Sequence, residues 1–260
     1  LGLTLPSADE QWLSGFSSGL FGAAELFGCS LMGGDTTRGP LSISITAIGE
    51  VPSGQAVSRS GAKPGDVLYV TGCLGDGQVA LHQLDFEAAE STAHKPALAE
   101  AGHQSVRKDL TPEDHAYLYR RFFRPEPRLA FADLARNLMS SAIDVSDGLH
   151  ADAGHLARAS AVELCINLDQ LPFSRSVLGL TSEAERVNAA LYGGDDYELC
   201  FTAETACRDR IGEIAASAGL RVTEIGEVRH GNGVSLFDRG VAATADHQRG
   251  FDHFSRMETP

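Results

Sequence analysis

Long hydrophobic runs are absent from this sequence of 260 residues. Its apolar stretches, such as residues 67–70, are interrupted within a few positions, whereas a membrane-spanning helix needs roughly 20 apolar residues. The first six residues also lack the basic region and the small-residue cleavage pattern of a secretory signal. They lack an initiator Met and have the character of an internal core segment, so we expect further residues upstream. The sequence predicts a protein with no membrane-spanning segment.

Cysteine and basic side chains are both scarce. The five cysteines are an odd number, form no C-x-x-C pair and mostly lie in apolar runs, which is typical of a reduced, cytoplasmic protein. Lys and Arg number 21 against 35 Asp and Glu, which gives a formal net charge of -14. This charge disfavours nucleic acid as a partner, because nucleic-acid binding needs clustered basic residues. A polyanionic substrate would also be repelled unless divalent cations bound to the carboxylates.

Several familiar catalytic motifs are missing as well. There is no G-x-x-x-x-G-K-[ST] loop, no H-R-D or D-F-G set and no H-E-x-x-H helix. Four of the nine histidines lie in or beside a polar stretch at 86–112, which predicts a surface insertion with solvated side chains rather than a zinc site. P-loop, protein-kinase and zincin sites of the usual kind are therefore excluded.

The remaining pattern alternates between helix and strand. Residues 7–28 open with the form of a capping box, S-A-D-E, and continue with apolar residues at helical spacing. Residues 41–47 alternate as a half-exposed strand does. A turn-rich segment at 61–66 marks a boundary, so we predict two domains, 1–60 and 61–260, and an α/β or α+β fold. In the second domain we predict helices from about 76, at 113–122 and at 128–139, and strands at 67–70, 142–145, 162–168, 197–203, 222–228 and 234–237.

Three loops rich in glycine and aspartate lie at boundaries between elements: GGDTTRG at 33–39, DVSDG at 144–148 and GGDDYEL at 193–199. Glycine lets the backbone approach a ligand closely, and carboxylates suit a metal-bridged phosphate. The alternatives are ordinary turns for the first and third loops and a helix N-cap for the second. A further segment, GCLGDG at 72–77, either binds an anion at a helix N-terminus or is a structural turn.

Together with SRSGAKPGD at 58–66 and FDHF at 251–254, these loops resemble the thiamine-monophosphate kinase family in order and spacing. The resemblance covers nearly the whole chain apart from residues 86–112. It implies a PurM-like two-domain fold, with an amino-terminal β-rich domain whose strands pair across a homodimer and a carboxy-terminal α/β domain. It also implies binding of ATP between the domains and direct transfer of the γ-phosphoryl group of ATP to thiamine monophosphate, with Mg²⁺, giving thiamine diphosphate.

The resemblance further implies roles for individual residues. They are magnesium ligation by Asp35, Asp144 and Asp147, ATP binding by Gly34, Asp35, Arg59 and Ser146, and binding of thiamine monophosphate by Asp195 and Phe251. No catalytic base is expected, because a phosphate acceptor is already ionised near neutral pH and the reaction needs alignment and charge neutralisation. From the residues alone, Arg59 could equally be a solvated surface side chain and Phe251 an aromatic anchor for the chain terminus.

Two features depart from the family's pattern. The family's upstream segment, with a Gly-Asp-Asp metal loop, is not in this chain, so the implied metal site is incomplete. Asp195 stands where many relatives have Glu. The alternative readings are another ATP-using synthase of the same superfamily, such as an aminoimidazole ribonucleotide synthase or a selenophosphate synthetase, and a noncatalytic nucleotide-binding fragment.

Overall fold

The computed structural model describes residues 1–83 and 110–243. Contacts between residues divide the chain into two compact units, Leu1–Pro52 and Ser53–Pro260. The domain boundary at residue 60 stays a sequence-based prediction, and most of the predicted insertion at 86–112 lies outside the described residues. In the two described ranges, every helix is too short or too polar to cross a membrane.

The first unit consists of a three-stranded sheet and one long helix. Its elements are β1 (Gly2–Leu5), α1 (Glu10–Leu26), β2 (Asp35–Arg38) and β3 (Ser42–Ser44). β1 lies in the centre, parallel to β2 and antiparallel to β3.

Two expectations for this unit were wrong in detail. The first helix begins after Asp9, whose carboxylate accepts hydrogen bonds from the N–H groups of Gln11 and Trp12, so the predicted capping box at Ser7 does not form. An aspartate directly before the first turn caps it as well as a serine would. The strand predicted at 41–47 is also shorter, because only residues 42–44 pair with β1.

The described residues of the second unit form a seven-stranded sheet with helices. Its strands are β4 (Val67–Thr71), β5 (Met139–Val145), β6 (Glu163–Asn167), β7 (Glu198–Ala203), β8 (Val222–Arg229), β9 (Gly233–Asp238) and β10 (Val241–Ala243). Its helices are α2 (Asp76–Gln83), α3 (Pro112–Phe123), α4 (Leu129–Ala135), α5 (Leu149–Ser160), α6 (Arg175–Leu180), α7 (Glu183–Tyr192) and α8 (Arg208–Ser217). The strand order is β10-β9-β6-β8-β4-β7-β5, and the described pairs are antiparallel except β6 with β9.

Strand β4 shows why the sheet is covered on both faces. All five of its residues are buried, and alternate side chains enter two different clusters. Leu68 and Val70 pack in the cluster that contains the apolar side of α5, whereas Val67 and Tyr69 pack with α4 and α8. Successive side chains of a strand point to opposite faces, so a continuous apolar run is what a central strand between two helical layers requires.

The helix predicted at 128–139 is too long. α4 ends at Ala135, a short 3₁₀ turn follows at Arg136–Leu138, and Met139 already begins β5. Helices α6, α7 and α8 lie where no element was predicted. The first two have only six and ten residues, and their apolar positions are few, so their sequence periodicity is weak.

Candidate functional site

The end of β5 and the loop before α5 carry two exposed carboxylates, those of Asp144 and Asp147. The N-cap position of α5 is Gly148, which has φ 99° and provides no side-chain cap. Neither aspartate therefore caps the helix, and the N-cap alternative for this loop is wrong. Their carboxylates remain available to bind a ligand from solution.

A third aspartate from inside α5 holds this loop. The buried carboxylate of Asp152 accepts hydrogen bonds from the N–H groups of Ser146, at 2.9 Å, and Asp147, at 3.0 Å. Burial raises the pKa of Asp152, the two N–H groups oppose that change, and the negative charges of Asp147 and Asp144 add to it. The backbone of the loop is thus fixed from within, while its own side chains face outward.

The GGDDYEL loop lies directly beside the first. Its N–H groups at Asp195 and Tyr197 donate to the carbonyl oxygens of Ser146, at 3.0 Å, and Val145, at 2.8 Å. A Cβ atom at Gly194 would lie 2.5 Å from the Ser146 oxygen, so this approach requires glycine. The second unit therefore brings two of the three acidic loops into direct contact.

The side chain of Tyr197 lies among the negative charges of these two loops. Its hydroxyl donates to Asp195 Oδ1 at 3.1 Å. Partial burial raises the pKa of Tyr197, and so do the hydrogen bond to Asp195 and the charges of Asp195, Asp144 and Asp147. Four predicted site residues, Ser146 with these three aspartates, thus occupy one part of the surface.

Below this surface lies a buried ionic network that the sequence analysis did not identify. The side chains of Asp76, Asp196 and Glu198 have no exposed area, and Arg121 from α3 contacts all three residues. Arg128 adds two hydrogen bonds to Glu198, of 2.8 and 2.6 Å. The available signal was the acidic segment DDYEL, which leads into a buried strand, together with the arginines earlier in the chain, in 120–128.

The network also explains the GCLGDG segment at 72–77. The Asp196 carboxylate accepts hydrogen bonds from the N–H groups of Gly75, at 2.7 Å, and Gly77, at 3.0 Å, where α2 begins. The group bound at this helix N-terminus is thus a carboxyl side chain of the protein, and the segment is a structural turn. Burial is the largest cause that raises the pKa of Asp196 to about 7.

The remaining predicted residues lie in other segments. In the first unit Asp35 begins β2, its N–H group donates to the Leu1 oxygen at 3.0 Å, and its side chain is exposed. A Cβ atom at Gly34 would lie 2.0 Å from that same oxygen, so glycine is required there. In the second unit Arg59 is exposed, and its carbonyl oxygen accepts a 3.3 Å hydrogen bond from Ser160 Oγ. Phe251 lies outside the described residues.

Known families and proteins match this chain along most of its length. The family model for the AIR synthase related protein, N-terminal domain, matches residues 1–51, and that for the C-terminal domain matches residues 63–239. The thiamine-monophosphate kinase of Salmonella typhimurium is 37% identical over 258 residues, and that of Escherichia coli strain K12 is 39% identical over 256. Both matches cover 98% of this chain and 73% of the relative. The chain belongs to the thiamine-monophosphate kinase family.

Solved structures agree with this assignment. The crystal structure of thiamine-monophosphate kinase from Stenotrophomonas maltophilia K279a has a TM-score of 0.79 and 40% identity, covering 93% of this chain and 71% of that one. A structure described as AaThiL complexed with AMPPCP and TMP has a TM-score of 0.70 and 27% identity, covering 97% and 72% of the two chains. The PurM-like α+β fold expected from the sequence is thereby confirmed.

The donor set suits the magnesium ion that the kinase family resemblance implies. The Asp144 and Asp147 carboxylates are exposed oxygen ligands, the type that Mg²⁺ prefers. Within residues 1–83 and 110–243, however, no group of three or more His, Cys, Asp or Glu side chains is arranged to hold a metal ion. The pair fits a site to which substrate phosphates and water add ligands, as is usual for Mg²⁺. The ligand set with Asp35 stays a prediction.

Proposed function

We propose that this protein phosphorylates thiamine monophosphate to thiamine diphosphate, using ATP. The observation that carries the proposal is the contact between the DVSDG and GGDDYEL loops, in a chain whose relatives are named thiamine-monophosphate kinase. AaThiL, a relative of the same fold, is described in complex with AMPPCP and TMP. The chemistry is transfer of a phosphoryl group to a phosphate oxygen.

Such a transfer needs no catalytic base. The acceptor phosphate is already ionised, so the protein has to align two polyanions and stabilise the charge that spreads over the transferred group. We propose Asp35, Asp144 and Asp147 as ligands of Mg²⁺, which when bound supplies positive charge to the phosphates. Arg59 and backbone N–H groups add fixed positive partners for ATP.

The two acidic loops are proposed to bind different substrates. Ser146 lies at the point of contact between them and is proposed to bind ATP, together with Gly34 and Asp35 of the first unit. Asp195 is proposed to bind thiamine monophosphate, and the hydrogen bond from Tyr197 orients its carboxylate. The same bond leaves the second Asp195 oxygen free to accept from a substrate amino or hydroxyl group. Phe251 is proposed to stack on a ring of the substrate.

We also propose that the protein is a cytoplasmic homodimer. The free thiols of all five cysteines suit a reducing compartment. The first unit exposes many apolar side chains, and α1 has no buried residue. Among the exposed ones are Phe21, Leu26, Met32, Ile45 and Ile48. Such surfaces mark contacts with other protein, which suits a homodimer. No basic surface of the kind that binds nucleic acid is expected.

The test of the activity is direct. Purified protein is incubated with ATP, Mg²⁺ and thiamine monophosphate, and thiamine diphosphate is measured by chromatography. Asp195→Asn should raise the KM for thiamine monophosphate, because the amide presents one acceptor oxygen instead of two. Asp209→Asn is the matched control, since it removes the same charge from the exposed face of α8. If Asp195→Asn and Asp209→Asn behave alike, the substrate-binding role of Asp195 is wrong.

A further inference from the structure

The segment that carries the proposed substrate contact has an unusual backbone. Asp195 and Tyr197 both lie in the left-handed region, with φ 65° and φ 49°. Residues with a side chain occupy this region rarely, and they stay there when surrounding structure fixes them. Residues 193–198 are therefore held by bonds from other parts of the chain.

Three sets of bonds act on this segment. The N–H groups of Asp195 and Tyr197 bind the carbonyl oxygens at the end of β5. Between them Asp196 turns inward, and its carboxylate binds the N–H groups at the start of α2. Its backbone carbonyl also points inward, where it accepts a 2.9 Å hydrogen bond from Arg121 Nη2. This last bond comes from a side chain on another helix.

Arg121 is nearly buried and forms hydrogen bonds to several groups, so it can hold this segment in place. Its side chain is only 10% exposed, and it reaches three groups at once. In addition to the Asp196 carbonyl, it binds Asp76 Oδ2 at 3.2 Å and Glu198 Oε1 at 3.0 Å. A guanidinium has a planar fork of donors that can satisfy acceptors in several directions, which the single ammonium group of lysine cannot reproduce. Arg121 thus joins the start of α2, the loop and the start of β7.

Other residues fix the orientation of Arg121. Arg128 binds both oxygens of Glu198, and Thr71 Oγ1 donates to Glu198 Oε2 at 2.7 Å. Tyr117 donates to Asp76 Oδ2 at 2.6 Å. The two carboxylates that accept from Arg121, those of Asp76 and Glu198, are therefore held in place by other side chains.

We propose that Arg121 is a positioning residue that holds residues 193–198 in the conformation, left-handed at Asp195 and Tyr197, that places Asp195 beside the β5–α5 loop. Arg121 has no direct role in the chemistry and acts through the Asp196 carbonyl. Its consequence for catalysis rests on the proposed function, in which Asp195 binds thiamine monophosphate.

The experiment compares Arg121→Lys with Arg208→Lys in the full chain. Arg208 forms two hydrogen bonds with Glu224, at 2.6 and 2.8 Å, on an exposed surface. Amide hydrogen exchange is measured for peptides that cover 193–198 and for peptides from β6. We expect Arg121→Lys to speed exchange in 193–198 by about tenfold or more with β6 unchanged, since local opening needs only the loop bonds to break. Arg208→Lys should change neither.

Kinetics separate positioning from a general loss of structure. In Arg121→Lys the KM for thiamine monophosphate should rise by roughly ten- to a hundredfold, because small displacements of a binding group have effects of that size. The Kd of ATP and the fraction of folded protein should change little. Faster loop exchange with unchanged substrate KM would support the positioning role and contradict the substrate role of Asp195. Unchanged loop exchange would overturn the positioning role whatever the kinetics show.

A second variant covers the case in which Arg121→Lys does not fold. Arg128→Lys leaves the bonds of Arg121 and the backbone bonds of Asp195 and Tyr197 in place, but it disrupts the two bonds of Arg128 to Glu198, one of the two carboxylates that orient Arg121. We expect faster exchange in 193–198 for this variant as well, smaller than for Arg121→Lys, with β6 unchanged. A folded Arg128→Lys protein in which only β6 exchanges faster would contradict the proposal.

Discussion

The buried carboxyl group of Asp196 should make the stability of this protein depend on pH in an unusual direction. Its pKa is raised to about 7, first because burial penalises the charged form and also because Asp76 lies nearby. The N–H groups of Gly77 and Gly75 and the charge of Arg121 oppose the increase. The folded protein therefore keeps a proton on Asp196 at pH values where an unfolded chain, with the ordinary pKa of 3.8, has released it.

The sign of the effect follows from proton binding. Between about pH 4 and pH 7 the folded state binds one proton more than the unfolded state at this position, so stability falls as pH rises. The contribution is fully present below pH 3.8 and is lost as pH rises through about 7. Converted at about 1.4 kcal/mol for each pH unit, the difference amounts to roughly 4 kcal/mol. That is a large part of the stability of an ordinary domain, which is about 5–15 kcal/mol.

The substitution that isolates this group is Asp196→Asn. Asparagine has nearly the same shape, keeps one acceptor oxygen for the N–H groups of Gly75 and Gly77, and cannot ionise. The free energy of unfolding is measured by urea denaturation from pH 4 to pH 8 for both proteins. As pH rises across this range, we expect the free energy of unfolding of the variant to increase relative to that of the wild type by up to about 4 kcal/mol. Asp209→Asn, at an exposed position of α8, should give a curve parallel to the wild type.

A specific result would refute the reasoning. If the free energy of unfolding of the wild type increases relative to that of Asp196→Asn as pH rises, the carboxylate is ionised in the folded protein and its pKa is depressed. The two N–H groups and Arg121 would then outweigh the cost of burial. Parallel curves would show that the pKa of Asp196 is the same in the folded and the unfolded protein.

Three further predictions concern the site, the core and the polar stretch. Asp144→Asn and Asp147→Asn should leave the melting temperature nearly unchanged, since neither carboxylate caps α5, but should lower the rate of thiamine diphosphate formation by about a hundredfold or more; normal rates would contradict the metal role. Leu156→Ala should lower the free energy of unfolding by about 2–5 kcal/mol in urea, because Leu156 is fully buried against the sheet; a cost well below 1 kcal/mol would contradict that packing. Deletion of residues 86–109 should preserve folding and activity, since the stretch is polar, and loss of both would contradict this expectation.

Much of the second unit could be predicted from local pattern. The run at 67–70 is apolar on every side chain, and the loops at 144–148 and 193–199 combine glycine with acids, so their places in the fold could be identified from a few residues each. The ionic network could not be predicted in this way. Arg121 lies 45 residues from Asp76 and 77 from Glu198, and no periodic pattern records contacts at that separation. Helix α7 could have been found from its capping box, formed by Ser182 and Glu185.

The GGDDYEL loop shows why acidic motifs are hard to interpret from sequence alone. Its three acids are spaced like a single charged cluster, yet Asp195 reaches the surface while Asp196 and Glu198 are completely buried. Glu198 is paired with Arg121 and Arg128, and Asp196 keeps a proton below about pH 7, so the buried pair adds little negative charge to the surface that is proposed to meet phosphates. Removing a buried acid would therefore change activity through the position of the loop, and removing Asp195 would change it through contact with substrate. Whether a substitution acts through loop position or through substrate contact depends on the burial of the side chain, which cannot be read from the sequence alone.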